Sequence, residues 1–102
     1  MDGGLCLCAL TQLEILFSAR SPEDYEALQE DLALFRTLRM GAETFAAALS
    51  GQRELSRSGH HRVPLPDLLI AACAQQHAAA VLHVNRHFDT LREVFAFTAV
   101  RL

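Results

Sequence analysis

"VPLPDLLIAACA", residues 63–74, is the stretch on which the fold turns. Pro66 suits the first position of a helix, and Leu68 to Ala74 are apolar on every side. The spacing therefore predicts a helix over 66–77 that is buried all round instead of lying on a surface. One carboxylate, Asp67, stands at the mouth of this apolar segment, and its purpose is the question the rest of the chain has to answer.

Reading outward, "AAVLHV" (79–84) is a strand by its β-branched content, "NRHFDTLREVF" (85–95) a loop and short helix, and "AFTAVRL" (96–102) a last strand. Upstream, "GLCLCAL" (4–10) is an apolar run that reads as a buried strand. A helix follows with Thr11 as N-cap, ending near Arg20, with Leu10, Leu13 and Phe17 on one face. Ser21-Pro22-Glu23-Asp24 opens the next helix with a cap, a proline at its first position and acids in its first turn. Tyr25, Leu28, Leu32 and Phe35 form its expected inner face. "RTLRM" (36–40) suits a short edge strand. A third helix follows with Phe45, Leu49 and Leu55 inward, Gly51 a tolerated flaw and Gly59 its terminator. Strands alternating with helices predict an α/β fold with a mainly parallel sheet.

The chain has 102 residues, 51% of them hydrophobic, enough for one core and one domain. No apolar run reaches the ~18 to 20 residues of a membrane helix, and "LCLCAL" lacks the basic flank of a signal peptide. Three cysteines, with Cys6 and Cys8 too close for an easy bridge, suit a reducing compartment, and the expected location is the cytoplasm. A zinc set from Cys6, Cys8, His60 and His61 is not expected, because the histidine pair lacks ligand spacing. All nine basic residues are arginine, and the net charge of −3 excludes broad attraction to nucleic acid while leaving room for a local basic patch.

In a right-handed βαβ unit, helix N-termini and strand C-termini share one edge of the sheet, where ligands gather. Glu14 is expected in the first turn of the first helix, and Asp67 in that of the helix before the strand at 79–84. Asn85 and Asp89 follow that strand. Glu14 sits roughly 40° around the helix from Leu10, at the rim of the face expected to be buried. Carboxylates crowded at one edge repel each other unless a cation intervenes, and Mg²⁺ or Mn²⁺ is the usual partner of an all-oxygen set. Local alternatives stand beside this: Asp67 as a helix-dipole charge, Glu14 as an arginine partner, Asp89 as a cap.

"LTQLEILFSARSPEDYEALQEDL" together with "HHRVPLPDLLIAACAQQHAAAVLHVNRHFDTL" resembles the PIN-domain ribonucleases, in particular the VapC toxins of bacterial toxin-antitoxin pairs. The resemblance implies a PIN-like α/β/α sandwich and a Mg²⁺-dependent endoribonuclease that cuts cellular RNA. It further implies a homodimer and a VapB-type antitoxin that covers the active site. By motif match Glu14 and Asp67 take the places of acidic catalytic and metal-site residues, and Asp89 matches a trailing acid. Asn85 stands where the VapC pattern usually has another Asp, and it offers a carbonyl oxygen as a metal ligand. Arg62 matches a basic position expected to meet RNA phosphate, with Arg53, Arg57 and Arg86 as helpers.

Two departures qualify this expectation. The family opens with a strand ending in Asp and a short helix, and neither is found before the run beginning at Gly4; Asp2 precedes any strand. The chain is thus expected to be incomplete at its N-terminus, with Met1 either a misassigned start or the start of a remnant. With Asn85 also uncharged, the alternative to an active nuclease is a catalytically dead remnant that dimerises or binds an antitoxin through residues 11–35.

Overall fold

The computed structural model describes residues 6–83 and 87–101, which divide into two compact units, Met1–Arg39 and Met40–Leu102. In the first, β1 (Cys6–Cys8) runs directly into α1 (Ala9–Phe17), followed by α2 (Pro22–Leu32) and β2 (Arg36–Leu38). β1 and β2 pair in parallel with Cys6 opposite Arg36 and Cys8 opposite Leu38, so both helices belong to one crossover. Gln12 ties α1 to this pair by donating from Nε2 to Thr37 Oγ1 at 2.7 Å. α2 starts where its sequence dictates. Ser21 Oγ accepts from Asp24 N at 3.0 Å, Asp24 Oδ2 accepts from Arg20 N at 3.0 Å, and Glu23 and Asp24 meet the positive end of the helix.

α1 departs from expectation at its start. Cys8 is its N-cap residue, extended at φ −71°, ψ 155°, and Thr11 lies inside the helix with its hydroxyl 2.9 Å from Cys8 Sγ. Strand and helix thus abut without a linker, and Glu14 falls in the second turn, not the first. The shared face of Leu13 and Phe17 is also not buried: they are 63% and 90% exposed, and α1 turns Ile15 and Leu16 inward only partly. In α2 the expected inner face is graded, from exposed Tyr25 through half-buried Leu28 to buried Leu32.

The second unit contains α3 (Ala42–Ser56), α4 (Leu65–Gln76), β3 (Ala80–His83), α5 (His87–Leu91) and β4 (Thr98–Arg101). β3 and β4 are parallel, Ala80 opposite Thr98 and His83 opposite Arg101, with α5 in the connection. α4 is buried as its composition requires: Leu68 and Ala71 to Ala74 are buried, and Leu68, Ala71, Ala72 and Ala74 pack with Ala48, Leu55, Val81, Phe88, Leu91 and Phe95. Phe97 meets Phe88 edge to face at 6.3 Å between ring centroids.

α3 corrects the expected inner face. Its buried stripe is Thr44, Ala48, Gly51 and Leu55, whereas Phe45 and Leu49 point outward at 52% and 69% exposure. The reason is close approach, because the stripe facing α4 and Phe95 is built of small residues. A Cβ on Gly51 would lie 2.2 Å from Phe95 Cζ, so Gly51 is a packing requirement and not a flaw. Thr44 has its hydroxyl satisfied within this contact, accepting from Gly41 N at 3.2 Å and donating to Gln76 Oε1. Gln75 Oε1 accepts from Ala96 N at 2.8 Å, fastening the end of α4 to the approach to β4.

Both helices end on left-handed residues. After α3, Gly59 takes φ 79°, and His60 N reaches Leu55 O at 2.9 Å. After α4 the same position is filled by Ala78 at φ 52°, and Ala79 N reaches Ala74 O at 2.8 Å. This is the bonding of a Schellman motif, and at the second site it is made without glycine. Among the described residues no helix is long and apolar enough to cross a membrane.

Candidate active site

α4 opens on Pro64-Leu65-Pro66, with Pro64 as N-cap residue and Pro66 within the first turn. Prolines have no N–H to satisfy, which favours them where a helix has no acceptors to offer. Pro64 also has no side-chain oxygen, so no hydroxyl or amide caps this end. Asp67 brings the negative charge of the first turn. It is half-buried, directly before fully buried Leu68, and its backbone is fixed by Leu68 N donating to Pro64 O at 3.0 Å. The chain thus holds a carboxylate on a rigid, core-anchored element at the positive end of that element.

The tight turn at 77–79 sends α4 back into β3, so the start of α4 and the end of β3 occupy one end of the second unit. α5 begins at that end, with exposed Asp89 in its first turn and Phe88 and Leu91 anchoring it in the core. Arg62, exposed in the loop between α3 and α4, precedes Asp67 by five residues at the same end. The topology therefore sets Asp67, Asp89 and Arg62 toward one end of the second unit. Asn85 and Arg86 lie outside the described residues. Glu14 belongs to the first unit, exposed on α1 on the same arc as Leu13 and Phe17. Among the described residues no three His, Cys, Asp or Glu side chains gather closely enough to hold a metal ion. The acids that the sequence singles out are oxygen donors, and two of them, Asp67 and Asp89, belong to the second unit.

Each unit also carries an open concavity whose lining includes none of these acids. One of about 570 Å³ lies between α1 and α2, lined by Leu16, Ala19, Arg20, Ser21, Pro22, Tyr25 and Glu26. The other, about 480 Å³, lies against the outer face of α3 and is lined by Leu49, Gln52, Arg53, Ser56 and His61. Sequence reasoning missed the second because Phe45 and Leu49, four apart, carry the signature of a core face. The competing stripe Thr44, Ala48, Gly51, Leu55 has the same spacing and smaller side chains.

A family model described as the PIN domain matches residues 1–94, a span containing Glu14, Arg62, Asp67, Asn85, Arg86 and Asp89. Ribonuclease VapC17 of Mycobacterium tuberculosis is 40% identical over 92 residues, covering 88% of this chain and 69% of the relative. Ribonuclease VapC18 of the same organism is 40% identical over 91 residues, covering 86% and 66%. Among solved structures, a chain of the VapBC-1 structure from nontypeable Haemophilus influenzae superposes with a TM-score of 0.81 at 16% identity, over 99% of this chain and 76% of that one. A chain of the VapBC2 structure from Rickettsia felis, bound to a promoter DNA fragment, gives 0.80 at 14% identity, over 97% and 75%. At these identities the structural likeness speaks for the fold, a helix-rich α/β architecture with parallel strands.

Proposed function

Since the chain belongs to the PIN-domain family, in its VapC ribonuclease branch, we propose that it is a metal-dependent endoribonuclease of a cytoplasmic toxin-antitoxin pair. The observation that carries the reading is the 40% identity to a named ribonuclease over a stretch in which the second unit presents a half-buried Asp67 on a rigid helix start. Residues 1–102 are read as a single PIN-like domain, because one family match runs through both units. Glu14 and Asp67 are the metal-holding carboxylates, with Asp89 and the carbonyl oxygen of Asn85 completing an oxygen set. Bound there, Mg²⁺ or Mn²⁺ supplies the charge that orients a phosphodiester and makes a water nucleophilic at neutral pH. Arg62 and Arg86 hold the RNA phosphates by charge-assisted hydrogen bonds. The partners proposed are a VapB-type antitoxin and a second copy of the chain.

The test is cleavage of end-labelled RNA with Mg²⁺ or Mn²⁺, with and without EDTA. Asp67→Asn and Glu14→Gln are each expected to lower cleavage by at least about tenfold while leaving circular dichroism unchanged. Activity indifferent to EDTA and to both substitutions would remove the metal from the reading. A second reading is favoured by the exposure of Leu13, Phe17 and Tyr25 on α1 and α2. In it the chain no longer cuts and serves to bind an antitoxin through residues 11–35. Capture of a VapB-type antitoxin by a chain that shows neither cleavage nor calorimetric metal binding selects it.

A further inference from the structure

α3 has a second face that the packing does not use. At about 100° per residue, Phe45, Leu49, Gln52, Arg53 and Ser56 fall within one arc of about 100°, centred about 120° round the helix from the buried stripe of Thr44, Ala48, Gly51 and Leu55. All five lie on the outer side: Phe45, Leu49, Arg53 and Ser56 are exposed and Gln52 half-exposed. From Leu49 onward they line the 480 Å³ concavity, which His61 closes from the following loop. Its lining therefore holds a guanidinium, an imidazole, an amide and a hydroxyl beside one leucine, and no carboxylate. Glu43 and Glu54 lie further round the helix, beyond Arg57, and His60, next in the loop, faces Glu93 at 3.8 Å. In a chain of net charge −3 the lining thus carries the Arg53 charge with no carboxylate to oppose it.

We propose that the outer face of α3 is a binding track for single-stranded RNA, with Arg53 and His61 on the phosphates, Gln52 as a polar contact, and Phe45 as a stacking platform for a base. The proposal rests on the ribonuclease reading and extends it from the reacting phosphate to the flanking strand. Three features select this ligand. The Arg53 guanidinium has no carboxylate beside it in the lining, which suits a polyanion. An exposed aromatic at one end of a polar, basic stripe is the combination used to hold unpaired bases without reading their sequence. Connectivity leads to the acids, since His61 is six residues from Asp67, through Arg62, at the same end of the unit. Leu49 continues the apolar platform between Phe45 and Arg53.

The experiment is fluorescence anisotropy of the full chain with a labelled, 2′-O-methylated single-stranded RNA of about ten nucleotides, in EDTA so that nothing is cut, over a salt series. Phe45→Ala should weaken binding about fivefold or more. Arg53→Glu should weaken it about tenfold and reduce the slope of log affinity against log salt by about 0.7 or more. Arg92→Glu, a charge reversal of the same size elsewhere, should change affinity less than Arg53→Glu. Wild-type affinity in Phe45→Ala and Arg53→Glu overturns the proposal. So does a fall in molar mass by light scattering in Phe45→Ala with unchanged RNA affinity, which would assign the face to a second copy of the chain. Failure of wild type to bind the RNA also overturns it, while metal- and Asp67-dependent cleavage in a parallel assay would leave the ribonuclease reading standing.

Discussion

Gly51 and Ala78 are two positions where one side chain is mismatched to what its neighbours would ordinarily tolerate, in opposite senses. At Gly51 an added methyl would sit 2.2 Å from Phe95 Cζ, with Cε2 and Cε1 at 2.7 and 2.9 Å. The ring is buried on every side and has nowhere cheap to go. Overpacking of this kind costs about 1–3 kcal/mol, against about 1 kcal/mol that alanine returns in helix propensity. Gly51→Ala should therefore lower stability in urea unfolding, and Phe95→Leu should relieve it, giving a favourable coupling in the double-mutant cycle. A Gly51→Ala protein more stable than wild type would refute the contact. At Ala78 the left-handed φ of 52° carries a Cβ penalty of roughly 1–2 kcal/mol, partly offset by the entropy glycine would add to the unfolded chain. Ala78→Gly should raise the urea midpoint by roughly 0.5–1 kcal/mol equivalent, and an unchanged or lower midpoint would argue against that backbone. Neither effect was legible in the sequence, because Phe95 lies far along the chain from Gly51 and alanine gives no turn signal. Asp67 was legible, since Pro64-Leu65-Pro66 punctuates the chain just before it. Glu14 was misplaced, because its rim position assumed that Leu13 and Phe17 were covered.

Element boundaries follow the same division between local and distant causes. The start of α2 was readable because every device lies within four residues: Ser21 caps, Pro22 fits the first position, and Glu23 and Asp24 oppose the dipole. Ser21→Ala removes the acceptor for Asp24 N and should cost about 1 kcal/mol, seen as earlier loss of protection in residues 22–25 by hydrogen exchange. Unchanged protection would mean that Asp24, through its bond to Arg20 N, holds the turn alone. The start of α1 was not readable. Thr11 has the chemistry of a cap, but Cys8 already leaves the strand in an extended conformation, and the Thr11 hydroxyl turns back to its sulfur. The inner face of α3 misled for a related reason. Hydrophobic size selects Phe45 and Leu49, whereas proximity to α4 demands Ala48 and Gly51, and only the packed partner reveals which stripe prevails.

At the scale of the molecule the two units differ in what holds each together. Among the described residues the first buries two hydrophobic side chains, Cys8 and Leu32, and its sheet is a single parallel pair of three-residue strands. The second buries eleven, from Ala48 to Phe95, around the all-apolar α4. Burial contributes roughly 25 cal/mol per Å² of apolar surface, and a two-stranded sheet alone is marginal, so the first unit has much the weaker internal cohesion. Native-state hydrogen exchange should therefore show Cys8, Leu16 and Thr37 amides opening at a lower free energy than those of Ala71 to Ala74, which should exchange only through global unfolding. Denaturant should leave exchange in the first unit nearly unaffected at low concentration, as expected of local opening, while steepening that of α4. Identical opening free energies across both units would instead show that they unfold as one cooperative body. The distinction bears on function, because Glu14 stands on the weaker unit and Asp67 on the stronger. On the proposed reading Glu14 is a metal ligand, so added Mg²⁺ should slow exchange in α1 by an amount that grows with ion concentration and vanishes in Glu14→Gln.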